Sequence, residues 1–365
     1  MPRIVAVIIT MCMLTGCGND SRILEDLGLI QTASYDLAEG NRLKVTSSMP
    51  VAATDSTIKR MVLTGITDSI KEARLMFSNQ TELTLVSGQL RNTLFGLNLA
   101  KAGLQKHMDT LLRDPSTGLR VKVTIIDGEA SDVLNKTYKQ HSDTGQYINR
   151  MLNKMKTENG ISVSTLYKFT RDYYDDGIDP IAPILKDIGD NVEIEGIALF
   201  QDDRYMMKIP VKKAILFSLF KNNFNKGEAI LNLSDSKNSR EIVMLSSILN
   251  KRKIKVHHLA GNRFKVDISA SIQGSVLEYT GHHNIVKKEA RHKLEDKISQ
   301  YISAQGQQMI REMQKNKVDS LGIGQYVRNS LSYEEWKSLN WRKVYPQVEV
   351  NCHTKVLIKN YGKYS

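Results

Sequence analysis

A single long amphipathic helix stands out in the hydrophobic pattern of this 365-residue chain. It is predicted over about Asn284–Asn316, where apolar residues recur at helical spacing as Ala290, Leu294, Ile298, Ile302, Met309 and Met313. A helix of this length must bury its apolar stripe against another element. Four segments around it alternate between apolar and polar residues and predict strands: Glu228–Leu233, Ile254–Leu259, Phe264–Tyr279 and Gln347–Lys359. The sequence therefore predicts a long helix laid across an antiparallel C-terminal sheet.

The last of these segments also indicates the role of Cys352. Alternate positions share one face of a strand, and one face here holds Val348, Val350, Cys352, Thr354, Val356 and Ile358. We expect that face to be buried and Cys352 to act as a small hydrophobic residue.

The first half of the chain mixes predicted strands and helices. Strands are predicted at Arg42–Ser48, Leu83–Val86 and Val121–Ile126. Helices are predicted from Thr67-Asp68 to about Ser78 and at Gln89–Ala102, Lys106–Arg113, Glu129–Leu134, Asp143–Lys156 and Ser162–Tyr173. A polar, proline-bearing connection is predicted over Asp175–Asp190, before a hairpin formed by Glu193–Phe200 and Tyr205–Ile209.

These elements predict a multi-domain α+β fold with antiparallel or mixed sheets and packed helices. Residues 17–190 would form an N-terminal α+β region, which could comprise two subdomains. Residues 191–365 would form a C-terminal α+β domain that contains the long helix.

The N-terminus has the pattern of a lipoprotein signal. Arg3 precedes an apolar run from Ile4 to Leu14, which is shorter than the ~20 residues that a membrane-spanning helix needs. The run ends in Leu14-Thr15-Gly16-Cys17, which resembles the bacterial lipobox. We therefore predict a signal peptide at residues 1–16 and lipidation of Cys17 by a diacylglyceryl group and palmitate, which would anchor the chain to a membrane. An ordinary secretory peptide or a buried N-terminal strand is the alternative.

Cysteine content and charge restrict the partners and the means of stabilisation. Of three cysteines, Cys12 would leave with the signal and Cys17 would be acylated, so Cys352 would have no disulfide partner. The formal net charge is +12, and +11 once Arg3 is removed. This excess favours anionic lipid or wall polymers as partners. Export, and the lack of aromatic residues between the basic ones, predict no nucleic-acid partner.

No segment has a convincing pattern for catalysis, for a cofactor or for a metal. His257-His258 and His282-His283 are adjacent pairs, whose side chains point to opposite faces of a strand and cannot share one ion. Four aspartates surround Gly177 without the ligand spacing of a calcium loop, and they are typical of a solvated linker: Asp172, Asp175, Asp176 and Asp179. Gly322-Ile323-Gly324 lacks the third glycine and the preceding strand of a dinucleotide-binding loop. We therefore predict no catalytic residues, cofactor or metal.

Several short motifs occur in an order that resembles the Ger(x)C family, the lipoprotein C subunits of spore germinant receptors. Over Glu82–Leu134 they are Gly88-Gln89-Leu90-Arg91, Leu94-Phe95-Gly96, Leu99–Leu104, Leu112-Arg113-Asp114-Pro115 and Gly128-Glu129-Ala130. A second group follows from Glu193 onward: Ile194, Gly196, Ala198 and Phe200, then Asp319, Leu321, Gly322 and Gly324, then Trp336, Trp341, Val344, Pro346, Val348 and Val350.

The resemblance implies a multi-domain α+β fold and a non-enzymatic receptor subunit. It also implies a lipid-anchored protein on the outer face of the spore inner membrane, acting with two integral-membrane partners, the A and B subunits. A lipid-anchored extracytoplasmic solute-binding protein is the alternative, although such proteins usually have parallel strands in repeated βα units, whereas the late alternating strands here favour antiparallel pairing.

Some motif residues have a physical interpretation of their own. Gly96 and Gly103 would permit close helix packing or a C-cap, and Gly196 a close approach on a strand. Trp336 and Trp341 would either pack in the core, which we favour, or dock a partner.

Overall fold

The computed structural model of the protein describes residues 26–51, 60–139, 141–158, 163–234 and 240–360. The predicted signal peptide and the lipidation site Cys17 lie outside these residues. The architecture is α+β, with two main sheets and packed helices, which confirms the predicted fold class.

The larger sheet has eight strands from the first part of the chain. Their bounds are β2 (Thr32–Leu37), β3 (Leu43–Pro50), β4 (Arg60–Thr67), β6 (Asn92–Gly96), β7 (Lys122–Ile126), β8 (Ile181–Asp187), β9 (Val192–Gln201) and β10 (Arg204–Pro210). The order across the sheet is β10-β9-β8-β7-β6-β2-β3-β4. The four central strands β8, β7, β6 and β2 run parallel, and the outer strands pair antiparallel. A separate parallel pair joins β1 (Leu27–Leu29) and β5 (Thr84–Val86).

Helices cover both faces of the larger sheet. They are α1 (Ile70–Ser78), α2 (Leu97–Ala102), α3 (Gln105–Leu112), α4 (Ala130–Asn135), α5 (Thr144–Glu158) and α6 (Leu166–Tyr174). Helices α1, α2, α3 and α6 contribute to one hydrophobic cluster, and α4 and α5 contribute to the other. Neighbouring residues of β6, Leu94 and Phe95, lie in different clusters, so the central strands are buried on both sides.

The smaller sheet is formed by four strands from the second part of the chain. They are β11 (Ala229–Asn232), β12 (Ile242–His258), β13 (Phe264–Tyr279) and β14 (Glu349–Asn360), in the order β11-β12-β13-β14. The helices here are α7 (Val211–Lys221), α8 (Lys288–Lys315), α9 (Ile323–Arg328), α10 (Tyr333–Ser338) and α11 (Trp341–Val344). The buried face of β14 includes Val350, Cys352, Val356 and Ile358, which confirms the burial of Cys352. Burial raises the pKa of its thiol to about 12.

Helix α8 is the predicted long helix, and it packs along β14. Of its predicted apolar stripe, Leu294, Ile298, Ile302, Met309 and Met313 are buried. Polar side chains one turn apart on α8 accept hydrogen bonds from alternate backbone N–H groups of β14, in the pairs Glu295–Ile358, Ser299–Val356, Ser303–Thr354 and Gln307–Cys352. Four helical residues rise about 6 Å and two strand residues about 6.7 Å, so the two spacings match. The helix thus occupies the hydrogen-bonding edge of the sheet.

Three sequence predictions about these elements were wrong. The predicted helix Gln89–Ala102 begins as strand β6, and only its second part is helical, because a short strand buried on both faces has no period that distinguishes it from a helix. The predicted polar connection Asp175–Asp190 contains the buried strand β8. The C-terminal sheet is mixed, not antiparallel, since β14 runs parallel to β13 after the crossover through α8.

The predicted division between residues 190 and 191 falls in the turn between β8 and β9, two antiparallel neighbours in the larger sheet. The hairpin β9–β10 that follows agrees with its prediction. One hydrophobic cluster extends from the larger sheet through α7 to α8 and the smaller sheet. The two parts of the chain therefore share a core, and the division stays a prediction.

Candidate functional site

A cleft of about 410 Å³ lies where the loop after α6 meets the segment after α8. The first wall is the aspartate-rich loop, Asp175–Asp179, between α6 and β8. The second wall comes from Asp319 and the tryptophan-bearing helices α10 and α11. The turn of the β9–β10 hairpin contributes Asp202, so three distant parts of the sequence form one site.

Two buried carboxyl groups join the walls. Asp179 and Asp319 bind each other reciprocally: the Asp319 N–H donates to Asp179 Oδ2 at 2.7 Å, and the Asp179 N–H donates to the Asp319 carbonyl at 3.0 Å. The Asp202 N–H donates to the second oxygen of Asp179 at 3.1 Å. The Asp179 side chain therefore connects the aspartate-rich loop, the hairpin turn and the end of α8.

The Asp319 side chain organises the glycine-rich segment that follows it. Its oxygens accept hydrogen bonds from the N–H groups of Ile323 at 2.9 Å and Gly324 at 2.6 Å, and from Trp341 Nε1 at 3.1 Å. Gly322 has a left-handed φ of 72°, which lets the chain turn back towards the carboxylate. The motif Asp319-x-x-Gly322-x-Gly324 is thus a self-capped turn at the start of α9.

Gly324 brings this turn against the aspartate-rich loop. A Cβ on Gly177, whose φ is 91°, would lie 2.5 Å from the Gly324 carbonyl carbon, and a Cβ on Gly324 would lie 2.4 Å from Trp341 Nε1. The Gln325 N–H also donates to the Gly177 carbonyl at 3.0 Å. The two walls are therefore in backbone contact, with no space for a side chain between them.

Burial changes the ionisation of both carboxyl groups. It raises the pKa of Asp319 to about 7, and the nearby Asp179 carboxyl acts in the same direction, while the backbone N–H groups of Gly324 and Ile323 oppose the shift. Burial likewise raises the pKa of Asp179, although Arg342, 3.6 Å from its Oδ1, has the opposite effect. The structure thus holds two carboxyl groups close together in a poorly hydrated environment.

The outer aspartates are held by cations. Asp175 pairs with Arg328 at 2.5 Å, Asp176 lies 3.4 Å from Lys337, and Asp202 pairs with Arg342. The remaining predicted aspartate, Asp172, is buried and pairs with Arg171 at 2.5 Å. The interpretation of these aspartates as a solvated linker was wrong, because Asp172 and Asp179 are buried and the partners of Asp175 and Asp176 lie far away in the sequence, in the second half of the chain.

Aromatic side chains line the rest of the cleft. The ring centroids of Trp336 and Trp341 are 5.8 Å apart, and those of Trp341 and Tyr345 are 5.7 Å apart. Trp336 is buried, as the core-packing interpretation predicts, whereas Trp341 is only partly buried. Sequence reasoning missed Tyr345, which is 2% exposed and whose hydroxyl has no hydrogen-bond partner among the described residues.

The predicted glycines and histidines lie elsewhere. Gly103 is the C-cap of α2, as predicted, and a Cβ on Gly196 would lie 2.0 Å from the Ile209 carbonyl oxygen, as a close approach requires. His257 lies 3.0 Å from Asp267 on the exposed face of the smaller sheet. Within the described ranges, no group of three or more His, Cys, Asp or Glu residues lies together as a metal site would require.

The chain matches two family models in succession. The model described as "Spore germination protein N-terminal domain" matches residues 20–187, and "Spore germination B3/ GerAC like, C-terminal" matches residues 195–362. No helix in the described part of the chain is long and apolar enough to cross a membrane.

Individual relatives agree over nearly the whole length. Spore germination protein GerQC of Bacillus cereus is 23% identical over 363 residues, covering 99% of both chains. Putative spore germination protein YfkR of Bacillus subtilis (strain 168) is 21% identical over 371 residues, covering 96% of this chain and 94% of the relative. The crystal structure of the GerBC protein has the same fold, with a TM-score of 0.59 at 12% identity over 93% of this chain and 100% of that one. The chain belongs to the Ger(x)C family of spore germination proteins.

Proposed function

We propose that this protein is the non-enzymatic, lipid-anchored C subunit of a spore germinant receptor, needed for nutrient-triggered germination. The observation that carries the proposal is the match of both halves of the chain, in order, to the two domains of one spore germination family. In this role it acts together with integral-membrane A and B subunits.

The lipid anchor is proposed from the sequence around Cys17. A short apolar segment followed by Leu14-Thr15-Gly16-Cys17 suits cleavage before the cysteine and acylation of its thiol. Two or more acyl chains give stable attachment, since a single chain binds only marginally. The anchored protein would lie on the outer face of the spore inner membrane, where membrane subunits can contact it.

The proposal of a non-enzymatic role is supported by how the cleft uses its polar groups. Asp319 accepts three hydrogen bonds, and Asp179 accepts two backbone hydrogen bonds, so both carboxyl groups hold segments of the chain in place. Asp175, Asp176 and Asp202 pair with cations. These contacts suit a junction that keeps the two halves in a fixed relation.

A solute-binding lipoprotein remains the second candidate. The argument against it from antiparallel strands does not hold, because the centre of the larger sheet is parallel. The receptor role is favoured by the family match instead.

Replacement of Cys17 tests the proposal directly. Spores whose only copy carries Cys17→Ala should export the chain but release it from the membrane fraction without detergent, and should germinate poorly with the nutrient that this receptor serves. Cys352→Ala is the matched control, since it removes the buried thiol of β14 and should leave both attachment and germination intact.

Two results would contradict the proposal. Membrane attachment that persists in Cys17→Ala spores would exclude the lipid anchor. The second strain lacks this protein and also the receptors that contain its paralogues. Normal germination of that strain with every tested nutrient would exclude the receptor role.

A further inference from the structure

One face of the smaller sheet carries a concentration of lysines. On β13, on β14 and on β12 from residue 247 onward, the odd-numbered residues point away from the buried face, which holds Val266, Ile268 and Cys352. The outward residues include five lysines and two histidines, which we call the basic face: Lys251, Lys253, Lys255, Lys265, Lys355, His257 and His353. The acidic residues among them are Asp267 and Glu349.

Strand register places these cations side by side. Lys251 lies opposite Ser271, which lies opposite Lys355, and Lys253 lies opposite Ser269, the neighbour of His353. Adjacent strands are about 4.8 Å apart, and alternate residues along a strand about 6.7 Å apart. The basic face is therefore a compact array of neighbouring cations and not a scatter of separate surface charges.

The two carboxylates of this face neutralise only part of it. Glu349 lies 3.2 Å from Lys265, and Asp267 lies 3.0 Å from His257. The other four lysines are exposed and form no ion pair among the described residues: Lys251, Lys253, Lys255 and Lys355. Like charges held this close repel each other, so an anionic partner would relieve the repulsion.

Exposed leucines adjoin the lysines on the same face. The next row of the register is Leu249, Gln273 and Leu357. Leu249 is 37% exposed and Leu357 is 36% exposed. A surface that combines cations with neighbouring apolar side chains matches the boundary of a bilayer, where anionic headgroups lie above acyl chains.

We propose that the basic face binds the surface of an anionic lipid bilayer. Lysine is a point charge on a flexible stem, which suits attraction to a layer of mobile anions better than recognition of one fixed group. The biological setting rests on the proposed membrane location, but the binding itself does not require the acyl anchor. The basic face would orient the protein against the membrane to which Cys17 tethers it.

Vesicle binding without the anchor tests this inference separately from the receptor role. The protein is the chain from residue 17 onward with Cys17→Ala, which contains every residue that the structure describes. It should sediment with vesicles of phosphatidylglycerol and phosphatidylcholine in equal parts, and not with phosphatidylcholine alone. Added salt should weaken the binding, because exposed charges are screened.

A triple variant locates the binding on the face. Each lysine near an anionic surface contributes roughly fivefold to affinity. We therefore expect vesicle affinity to fall about a hundredfold in the triple variant Lys251→Gln/Lys253→Gln/Lys355→Gln. The control is Lys101→Gln/Lys106→Gln/Lys212→Gln, which removes the same charge from exposed lysines of α2, α3 and α7 and should change affinity far less. All of these side chains are exposed, and matching thermal unfolding curves would verify that both variants fold.

Three results would overturn the proposal. Equal loss in the two triple variants would show that net charge alone, and not this face, attracts the protein. Equal binding to neutral and anionic vesicles would exclude the lysines as the cause. Binding of soluble polyglutamate with no vesicle binding would identify an acidic polymer, and not a bilayer, as the partner.

Discussion

The Asp179 carboxylate accepts a hydrogen bond from the backbone N–H of Asp319 at 2.7 Å, although the two residues are 140 positions apart in the sequence. Asp179 precedes strand β8 of the larger sheet, and Asp319 follows helix α8, which packs on the smaller sheet. This contact links the two family domains across the cleft.

The first prediction concerns the backbone contact between the walls of the cleft. Gly177→Ala should reduce the free energy of unfolding by about 2 kcal/mol or more, because its φ of 91° strains alanine and its Cβ would lie 2.5 Å from Gly324. Gly189→Ala is the matched control, with a φ of 94° and no atom within 4 Å of the new Cβ. Urea unfolding of both variants separates contact from backbone strain. Equal losses would contradict the close approach.

The second prediction concerns pH. The pKa of Asp319 is raised from 3.8 to about 7, so between these values the folded protein binds more protons than the unfolded chain. Its contribution to stability is therefore present below about pH 4 and is lost as pH rises through about 7. Asp319→Asn weakens the acceptor that Gly324 and Trp341 share, so at about pH 5 it should lower the free energy of unfolding relative to wild type. At about pH 8 the loss should be smaller, because the wild-type protein has by then lost the stability that the raised pKa provides.

The comparison of wild type with the variant is needed because other groups titrate in an overlapping pH range. Burial lowers the pKa of His107 to about 4, which gives the opposite dependence of stability on pH. Unfolding in urea at both pH values measures the difference directly. A variant that is destabilised more at the higher pH would contradict the raised pKa of Asp319.

The third prediction uses the unpartnered hydroxyl of Tyr345. Tyr345→Phe removes a buried polar atom that has no partner among the described residues, so stability should be unchanged or should rise by up to about 1 kcal/mol. Tyr279→Phe is the contrast, because its hydroxyl donates to Glu241 at 2.8 Å, and its loss should cost about 1.5–3 kcal/mol. A clear loss of thermal stability in Tyr345→Phe would show that the hydroxyl is bound in solution.

The fourth prediction addresses the edge of the smaller sheet. Ser303→Ala leaves the Thr354 N–H, now bonded to Ser303 Oγ at 2.9 Å, without an acceptor, and should cost about 1–3 kcal/mol. Gln308→Ala changes an exposed residue of the same helix and should stay within about 0.5 kcal/mol of wild type. Protection of the Thr354 amide from hydrogen exchange should fall only in Ser303→Ala; unchanged protection would contradict the edge contact.

Periodicity along the chain predicts elements well where one face is exposed. The apolar stripe of α8 and the alternation in β14 gave the long helix, the last strand and the burial of Cys352. Periodicity failed to predict β6 and β8, because these strands are buried on both faces and their sequences do not alternate. Strand direction could not be predicted either, because alternation is the same in parallel and antiparallel sheets. Only the crossover through α8 sets β14 parallel to β13.

The cleft could not be predicted from local sequence patterns, for a different reason. Its aspartates were visible in sequence, but their partners Arg328, Lys337 and Arg342 lie more than a hundred positions later. Asp319 drew attention only through the family resemblance, and Gly322 and Gly324 otherwise only as an incomplete dinucleotide-binding loop. Their physical role, a carboxylate that caps its own turn and closes on Gly177, depends on tertiary contacts that no spacing rule contains.

The most direct test of the proposed role is affinity purification of the tagged chain from detergent-solubilised spore membranes, with the bound proteins identified by mass spectrometry. The proposal predicts that integral-membrane A- and B-type germinant receptor subunits are recovered with the wild-type chain. Recovery of the chain without either subunit, under conditions that preserve a known receptor complex, would contradict it.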